Sequence, residues 1–247
     1  MQGKSGKDRL FESPMAAAED FRFDDRVVRV FPDMINRSVP GYALMVPMTA
    51  LLARRYAQDG SRLYDLGCSL GAVSLAMSEA VQARDAAIVA VDNSAAMIAG
   101  LRERLASFDP PGAIPISPVC ADLLETDIDE ASVVVLNLTL QFVEPAARPA
   151  LLGKICAGLL PGGVLLLSEK IRFDSPDEDS LQTEWHHAFK RAQGYSELEI
   201  ARKRDALERV MKPDSLPIHQ QRLLEAGFSR VYQWFQGFNF VSLIAFK

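Results

Sequence analysis

Three polar features stand at spacings that suit one kind of ligand. The run Asp65-Leu66-Gly67-Cys68-Ser69-Leu70-Gly71 closes an aliphatic stretch and opens a helical one. Glycines there let the backbone turn sharply and let a ligand approach the main chain. Many α/β domains have such a first turn, so on its own it serves equally well as punctuation of the fold. Asp92 follows Gly71 by 21 residues (92 − 71 = 21), at the end of the next aliphatic stretch. An acid at about that distance accepts hydrogen bonds from ribose hydroxyls, although a lone aspartate there also caps helices. Asp122 ends a third stretch, placed to accept from an adenine amine. Ligands of open parallel sheets lie outside the carboxyl ends of the strands. Three such groups at three successive strand ends describe one crevice holding an adenosyl ligand.

NAD would call for G-x-G-x-x-G, with its pyrophosphate on a helix N-terminus. Here the glycines are spaced G-x-x-x-G, with Ser69 at the middle position. This resembles the class I methyltransferase motif, an acidic residue followed by G-x-G-x-G, and the resemblance implies S-adenosyl-L-methionine. No catalytic group stands out beside it. Asn137-Leu138-Thr139-Leu140 departs from the D/N-P-P-Y/F motif of amino-group methyltransferases. None of Cys68, Cys120 and Cys156 has a setting that marks a nucleophile. His186 and His187 lie in a charged helical stretch, where a surface or core role is the commoner one.

The elements that must position these residues follow from hydrophobic periodicity. Strands are expected at 62–66, 87–91, 116–121, 132–138 and 164–169, with helices between them. The fourth run is almost continuously apolar, as a parallel strand buried on both faces should be. Ser94 is placed to cap a helix over 95–108, and another helix is expected near 148–160. Pro161-Gly162-Gly163 reads as the turn into the fifth strand. Two last strands, 231–235 and 241–245, form an antiparallel hairpin. The expected fold class is α/β, a Rossmann-like class I methyltransferase fold with a mostly parallel seven-stranded sheet. A charged helical insertion occupies about 172–217, after strand five. Residues 1–60 read as an N-terminal tail and helical cap, with a turn-rich stretch from Asn36 to Tyr42 and a helix through Ala57. Residues 61–247 read as the adenosyl-binding part of one structural domain.

Composition narrows the function classes. The chain has 247 residues, 49% hydrophobic and 24% charged, ample for one core. A net charge of −5 argues against a broad nucleic-acid surface. Three scattered cysteines read as reduced thiols of a cytoplasmic protein. Three histidines without ligand spacing give no metal site. No apolar run approaches the roughly 18 residues of a membrane span. Residues 1–9, polar and basic with no apolar run after them, read as a loose tail and not a secretory signal.

Longer stretches carry a closer resemblance. They are Val30-Phe31-Pro32-Asp33-Met34-Ile35, Arg37-Ser38-Val39-Pro40-Gly41-Tyr42, residues 64–71, 134–142 and 167–170, Phe189-Lys190-Arg191-Ala192, residues 194–200, Trp234-Phe235 and Phe238-Asn239-Phe240. Together they resemble the carboxy-S-adenosyl-L-methionine synthase family across nearly the whole chain after about Leu10. The resemblance implies that S-adenosyl-L-methionine and prephenate become carboxy-S-adenosyl-L-methionine, phenylpyruvate and water. The product would serve a separate enzyme that modifies the wobble uridine of tRNA, so this chain itself needs no nucleic acid. It also implies that hydroxide expelled from prephenate takes the methyl proton, after which the carbanion captures carbon dioxide. The protein then supplies proximity and exclusion of water.

Matched by motif, the implied ligand contacts are Tyr42, Gly67, Cys68, Ser69, Asp92, Asn93, Asp122, Leu123 and Asn137. Arg204 is implied to face the new carboxylate, which a guanidinium grips bidentately. By pattern alone, Arg202-Lys203-Arg204 describes a solvated helix face, and Tyr42 could simply pack against the core. A homodimer is implied, with the insertion around 185–204 near the partner. An ordinary small-molecule methyltransferase, an adenosyl-ligand carrier and an NAD-dependent reductase are the other readings.

Overall fold

Runs rich in aliphatic residues, or in aromatic ones for β6, form seven strands: β1 (Arg62–Leu66), β2 (Ala87–Asp92), β3 (Ile116–Cys120), β4 (Ala131–Asn137), β5 (Leu159–Lys170), β6 (Arg230–Gly237) and β7 (Phe240–Phe246). They belong to a computed structural model that describes residues 6–10, 24–208 and 210–247. The hydrogen-bonded order is β3-β2-β1-β4-β5-β7-β6. Strands β1 to β5 are parallel, and β7 runs antiparallel to both β5 and β6. From β1 the chain steps outward to β2 and β3, then returns to β4 on the other side of β1. That reversal leaves a crevice beyond the carboxyl ends of β1 and β4.

Helices α4 (Ala72–Ala80), α5 (Ala95–Leu105) and α6 (Arg148–Gly158) follow β1, β2 and β4. Alternate residues of the central strands feed two cores. Leu63, Val133, Val135 and Leu166 enter one, and Tyr64, Val134, Leu136 and Leu167 the other. Burial on both faces explains the apolar run Val133 to Leu136 of β4. Before the sheet come α1 (Asp25–Val28), α2 (Phe31–Ser38) and α3 (Tyr42–Tyr56), and after β5 come α7 (Pro176–Ala192), α8 (Glu197–Glu208) and α9 (Leu216–Glu225). This is the α/β, Rossmann-like class I methyltransferase fold expected from the sequence. Among the described residues, no helix is long and apolar enough to cross a membrane.

Three local expectations are corrected. Asn36, Arg37 and Ser38 are helical and finish α2, so the turn into α3 begins only at Val39. Pro161-Gly162-Gly163 lies inside β5: Ala131 pairs with Leu159 and Val133 with Val164, so the turn is a bulge within one strand. Gly6 to Arg9 is no loose tail, while residues 1–5 of that expected tail lie outside the described residues. Asp8 is buried. Its amide donates to Asp33 Oδ2 at 2.7 Å, and its carboxylate accepts from Tyr195 Oη at 2.5 Å and from Lys203 Nζ at 3.5 Å. Arg37 extends this cluster, donating to Asp33 at 3.1 Å with its guanidinium 3.9 Å over the Tyr195 ring. The N-terminal segment, α2 and α8 are thereby tied together beside the crevice.

Candidate active site

The turn after β1 is held by its neighbour strand. The amides of Gly67 and Cys68 both donate to the Val91 carbonyl, at 2.8 and 2.9 Å, and Gly71 N–H donates to the Cys68 carbonyl at 2.8 Å. Gly67 has φ +80°, and a Cβ there would collide with Thr139. Gly71 has φ +73°, and a Cβ there would meet Leu101. Ser69 also sits in the left-handed region, at φ +49°, uncommon for a residue with a side chain. Its amide donates to Asp92 Oδ2 at 2.9 Å, and Asp92 Oδ1 accepts from the Ser94 amide at 2.9 Å. Capping of α5 belongs to Ser94, whose Oγ accepts from Met97 N–H at 3.2 Å. Burial pushes the Asp92 carboxyl up from its ordinary value, against two amide hydrogen bonds that lower it. Asp65, deeper in β1, is pushed up to about 6 by burial, although Ser74 Oγ donates to it at 2.5 Å.

Beyond β4, the chain is clamped by groups that sequence reading passed over. Glu169 is buried and accepts from the amides of Leu140 at 2.8 Å and Gln141 at 2.9 Å. Burial pushes it up to about 8 despite those donors. Arg148, 0% exposed, donates to the carbonyls of Val143 at 2.9 Å and Lys212 at 2.8 Å and to Asp214 at 2.5 Å. The available signal for both was a charge inside an apolar stretch or just before a helical one. At the crevice, Asn137 Oδ1 is buried and has no hydrogen-bond partner among the described residues.

These elements enclose a cavity of about 860 Å³. Tyr42, Gly67, Cys68, Ser69, Asp92, Asn93, Asp122, Leu123, Asn137 and Arg204 all line it. Asp122 is exposed, and its Oδ1 accepts from Leu124 N–H at 2.8 Å. Tyr42 is buried, and burial with the nearby Asp65 charge holds its hydroxyl above the usual phenol range. Burial likewise raises the Cys68 thiol, which leaves it a poor nucleophile.

Asp65, Asp92 and Asp122 line the cavity from β1 to β3 with Arg104 of α5 also in its wall, whereas Lys170, Lys190, Lys203 and Arg204 line it from β5, α7 and α8 together with Asp179 of α7. The Arg202-Lys203-Arg204 stretch is not uniformly solvated. Lys203 is 4% exposed and donates to Ser38 Oγ at 2.8 Å, whereas the Arg204 side chain is 49% exposed and lies 3.1 Å from Asp205. His186 is a core residue, its Nε2 2.8 Å from the Ser38 carbonyl and its ring edge-on to Phe240 at 5.1 Å. Burial first, then Lys190, lowers it to about 2, so the ring is neutral. His187 is half-buried at the cavity wall and is lowered for the same two reasons.

Residues 63–163 match the family described as "Methyltransferase domain". Among solved structures, human N-acetylserotonin methyltransferase in complex with SAM superposes with a TM-score of 0.58 at 14% identity, covering 96% of this chain and 57% of that one. A second, the S-adenosylmethionine-dependent methyltransferase SibL, gives 0.63 at 15% identity, with 98% and 63% covered. At such identity the likeness speaks to the fold. Sequence relatives are much nearer. Proteins named carboxy-S-adenosyl-L-methionine synthase from Trichlorobacter lovleyi and Geobacter metallireducens are each 56% identical over 240 residues, 97% of this chain and 98% of theirs. With identity above one half over nearly its full length, the chain belongs to the carboxy-S-adenosyl-L-methionine synthase family of transferases.

Proposed function

We propose that this enzyme converts S-adenosyl-L-methionine and prephenate to carboxy-S-adenosyl-L-methionine, phenylpyruvate and water. The observation that carries the reading is a single cavity with two chemistries. Acceptors for an adenosyl group stand at the ends of β1 to β3, and cations for an acidic partner enter from β5, α7 and α8. The first half fits S-adenosyl-L-methionine. Gly67 presents bare backbone at the cavity wall, where a Cβ would strike Thr139, and the buried Asn137 Oδ1 has no donor among the described residues. Arg204 offers the charge-assisted contact that a carboxylate would take.

The reaction balances without a protein base. Prephenate loses its ring carboxyl as carbon dioxide and expels hydroxide as the ring becomes aromatic. The hydroxide takes a proton from the S-methyl group and leaves as water, and the methyl carbon bonds to carbon dioxide. Two buried side chains of the chemistry a base requires, Glu169 and His186, are engaged elsewhere. Both Glu169 oxygens accept backbone amides, and His186 Nε2 is occupied by Ser38. The protein's part is to hold the two reactants together and keep water out.

On this reading the product supplies the carboxymethyl donor for tRNA wobble-uridine modification, and the enzyme works in the cytoplasm without touching tRNA. It works as a homodimer with residues 185–204 near the partner. The exposed rings of Trp185 and Phe238, 6.2 Å apart on the outer side of α7, support that placement. Light scattering that finds only monomer at assay concentration refutes the dimer.

Mass spectrometry of the adenosyl species, with and without prephenate, tests the reaction. A prephenate-dependent adduct heavier by one carbon dioxide, with phenylpyruvate beside it, is expected. S-adenosylhomocysteine with a methylated acceptor would instead make the enzyme an ordinary methyltransferase. Arg204→Ala should weaken the carboxylated ligand far more than S-adenosyl-L-methionine, and equal weakening of both would remove Arg204 from its role.

A further inference from the structure

Four cations are deeply buried among the described residues: Arg37, Arg148, Lys190 and Lys203. Three have carboxylate partners. Arg37 pairs with Asp33 at 3.1 Å, Arg148 with Asp214 at 2.5 Å and Lys203 with Asp8 at 3.5 Å. Lys190 is the exception. It is 6% exposed and lines the cavity, yet the charges around its ammonium are those of Lys203, Lys170 and Arg204, with no carboxylate among them. Burying an ammonium without a counter-charge is costly. Burial beside other cations, in the wall of a cavity, is the arrangement that an anionic ligand completes.

The fold shows why Lys190 points there. Residues three and four apart share a helix face, so Lys190 projects from α7 alongside His186 and His187, and all three line the cavity. The nearby groups leave it unsatisfied. Both imidazoles are held toward the neutral form by burial and by the Lys190 charge. Asp179, the acid of α7 at the cavity, accepts from the Phe173 amide at 2.8 Å. The charge of Lys203 is met by Asp8 and Ser38. The end of β5, α7 and α8 thus converge on a positive corner separate from the adenosyl acceptors at the ends of β1 to β3.

We propose that Lys190 is the binding residue for a carboxylate of the second substrate, a small dicarboxylate seated beside the adenosyl group. Its identification as prephenate rests on the function proposed above, whereas the anion site rests on the burial of Lys190. Burying the ammonium depresses its proton affinity, to about 7, and a bound carboxylate opposes that depression.

The test is calorimetry on the full chain loaded with S-adenosylhomocysteine, which has no S-methyl group to react. Prephenate is titrated into the wild type, Lys190→Met and Lys190→Gln. A charge-assisted hydrogen bond corresponds to about a ten- to hundredfold loss of prephenate affinity in both variants. S-adenosylhomocysteine should bind within about twofold of wild type, since the adenosyl half is untouched. Equal prephenate affinity in all three proteins overturns the proposal. If the wild type binds no prephenate, the substrate reading fails, and malonate titrated into the same three proteins decides the site. Lys190-dependent malonate binding keeps it, and Lys190-independent or absent binding removes it. Thermal melting guards against a misfolded variant. Removing an unpaired buried charge should leave the melting temperature level or higher, and a marked fall in both variants would reveal a structural partner and overturn the assignment.

Discussion

The Asp92 carboxylate accepts a hydrogen bond from the Ser69 amide at 2.9 Å. The end of β2 therefore fixes the turn that follows β1, and a residue read from sequence as a ligand contact is also part of the scaffold. Its other oxygen accepts from Ser94 N–H at the start of α5. An isosteric amide cannot satisfy both donors.

Asp92→Asn should consequently lower affinity for S-adenosyl-L-methionine about ten- to hundredfold, by disturbing the turn and losing a charged acceptor for ribose. Calorimetric titration measures this directly. An unchanged dissociation constant would show that neither the turn held by Asp92 nor its charge matters to the ligand.

Ser69 adopts φ +49° where glycine would be at ease. The left-handed conformation costs a side-chain-bearing residue about 1–2 kcal/mol, and glycine's freer unfolded state returns about 0.4–1 kcal/mol of that. Ser69→Gly should be neutral or stabilising by up to about 1.6 kcal/mol, whereas Ser69→Val, β-branched at positive φ, should destabilise by more than about 1 kcal/mol. Urea unfolding of the two variants separates them, and equal effects would refute the strain.

Arg148 joins the segment after β4 to the segment before α9 through the carbonyls of Val143 and Lys212 and the carboxylate of Asp214. Arg148→Met leaves those acceptors and a largely buried charge unpaired, and should cost about 3–5 kcal/mol. Arg222, 2.7 Å from Asp214, keeps part of the charge compensated, so the lower end of that range is expected in denaturant unfolding. A loss under about 1 kcal/mol would show that the network is dispensable.

Glu169 gives the stability a pH dependence. Burial raises it to about 8 from its ordinary 4.5, so between those values the folded protein holds a proton that the unfolded chain releases. Stability from this group is fully present below about pH 4.5 and is lost as pH rises toward 8. Glu169→Gln cannot titrate and should flatten the decline in unfolding free energy between pH 5 and 8. A decline as steep as that of wild type would place its origin elsewhere.

The residue pattern alone specifies the order of elements and which acids share one wall of the cavity. Alternation of aliphatic runs with helical ones specifies a parallel sheet, and in such a sheet the strand ends must meet, so Gly67, Asp92 and Asp122 fall together by pattern alone. Boundaries were readable where a capping residue marked them, as Ser94 does for α5. They were not readable at Pro161-Gly162-Gly163, because a bulge inside a strand and a turn before it use the same residues.

Which charges are buried, and what they face, follows from contacts between distant segments. Lys190 and Arg191 are neighbours of one type on α7, yet one lines the cavity without a counter-charge and the other pairs with Glu197 at 3.0 Å near the surface. Asp8 looks like part of a polar tail until Tyr195 and Lys203, nearly two hundred residues later in the chain, close around it. Local periodicity records which face of an element is apolar, but the environment of a charge is set by contacts from distant segments. That is why the acidic half of the site was legible in the sequence, and the cationic half, apart from Arg204, emerged only with the fold.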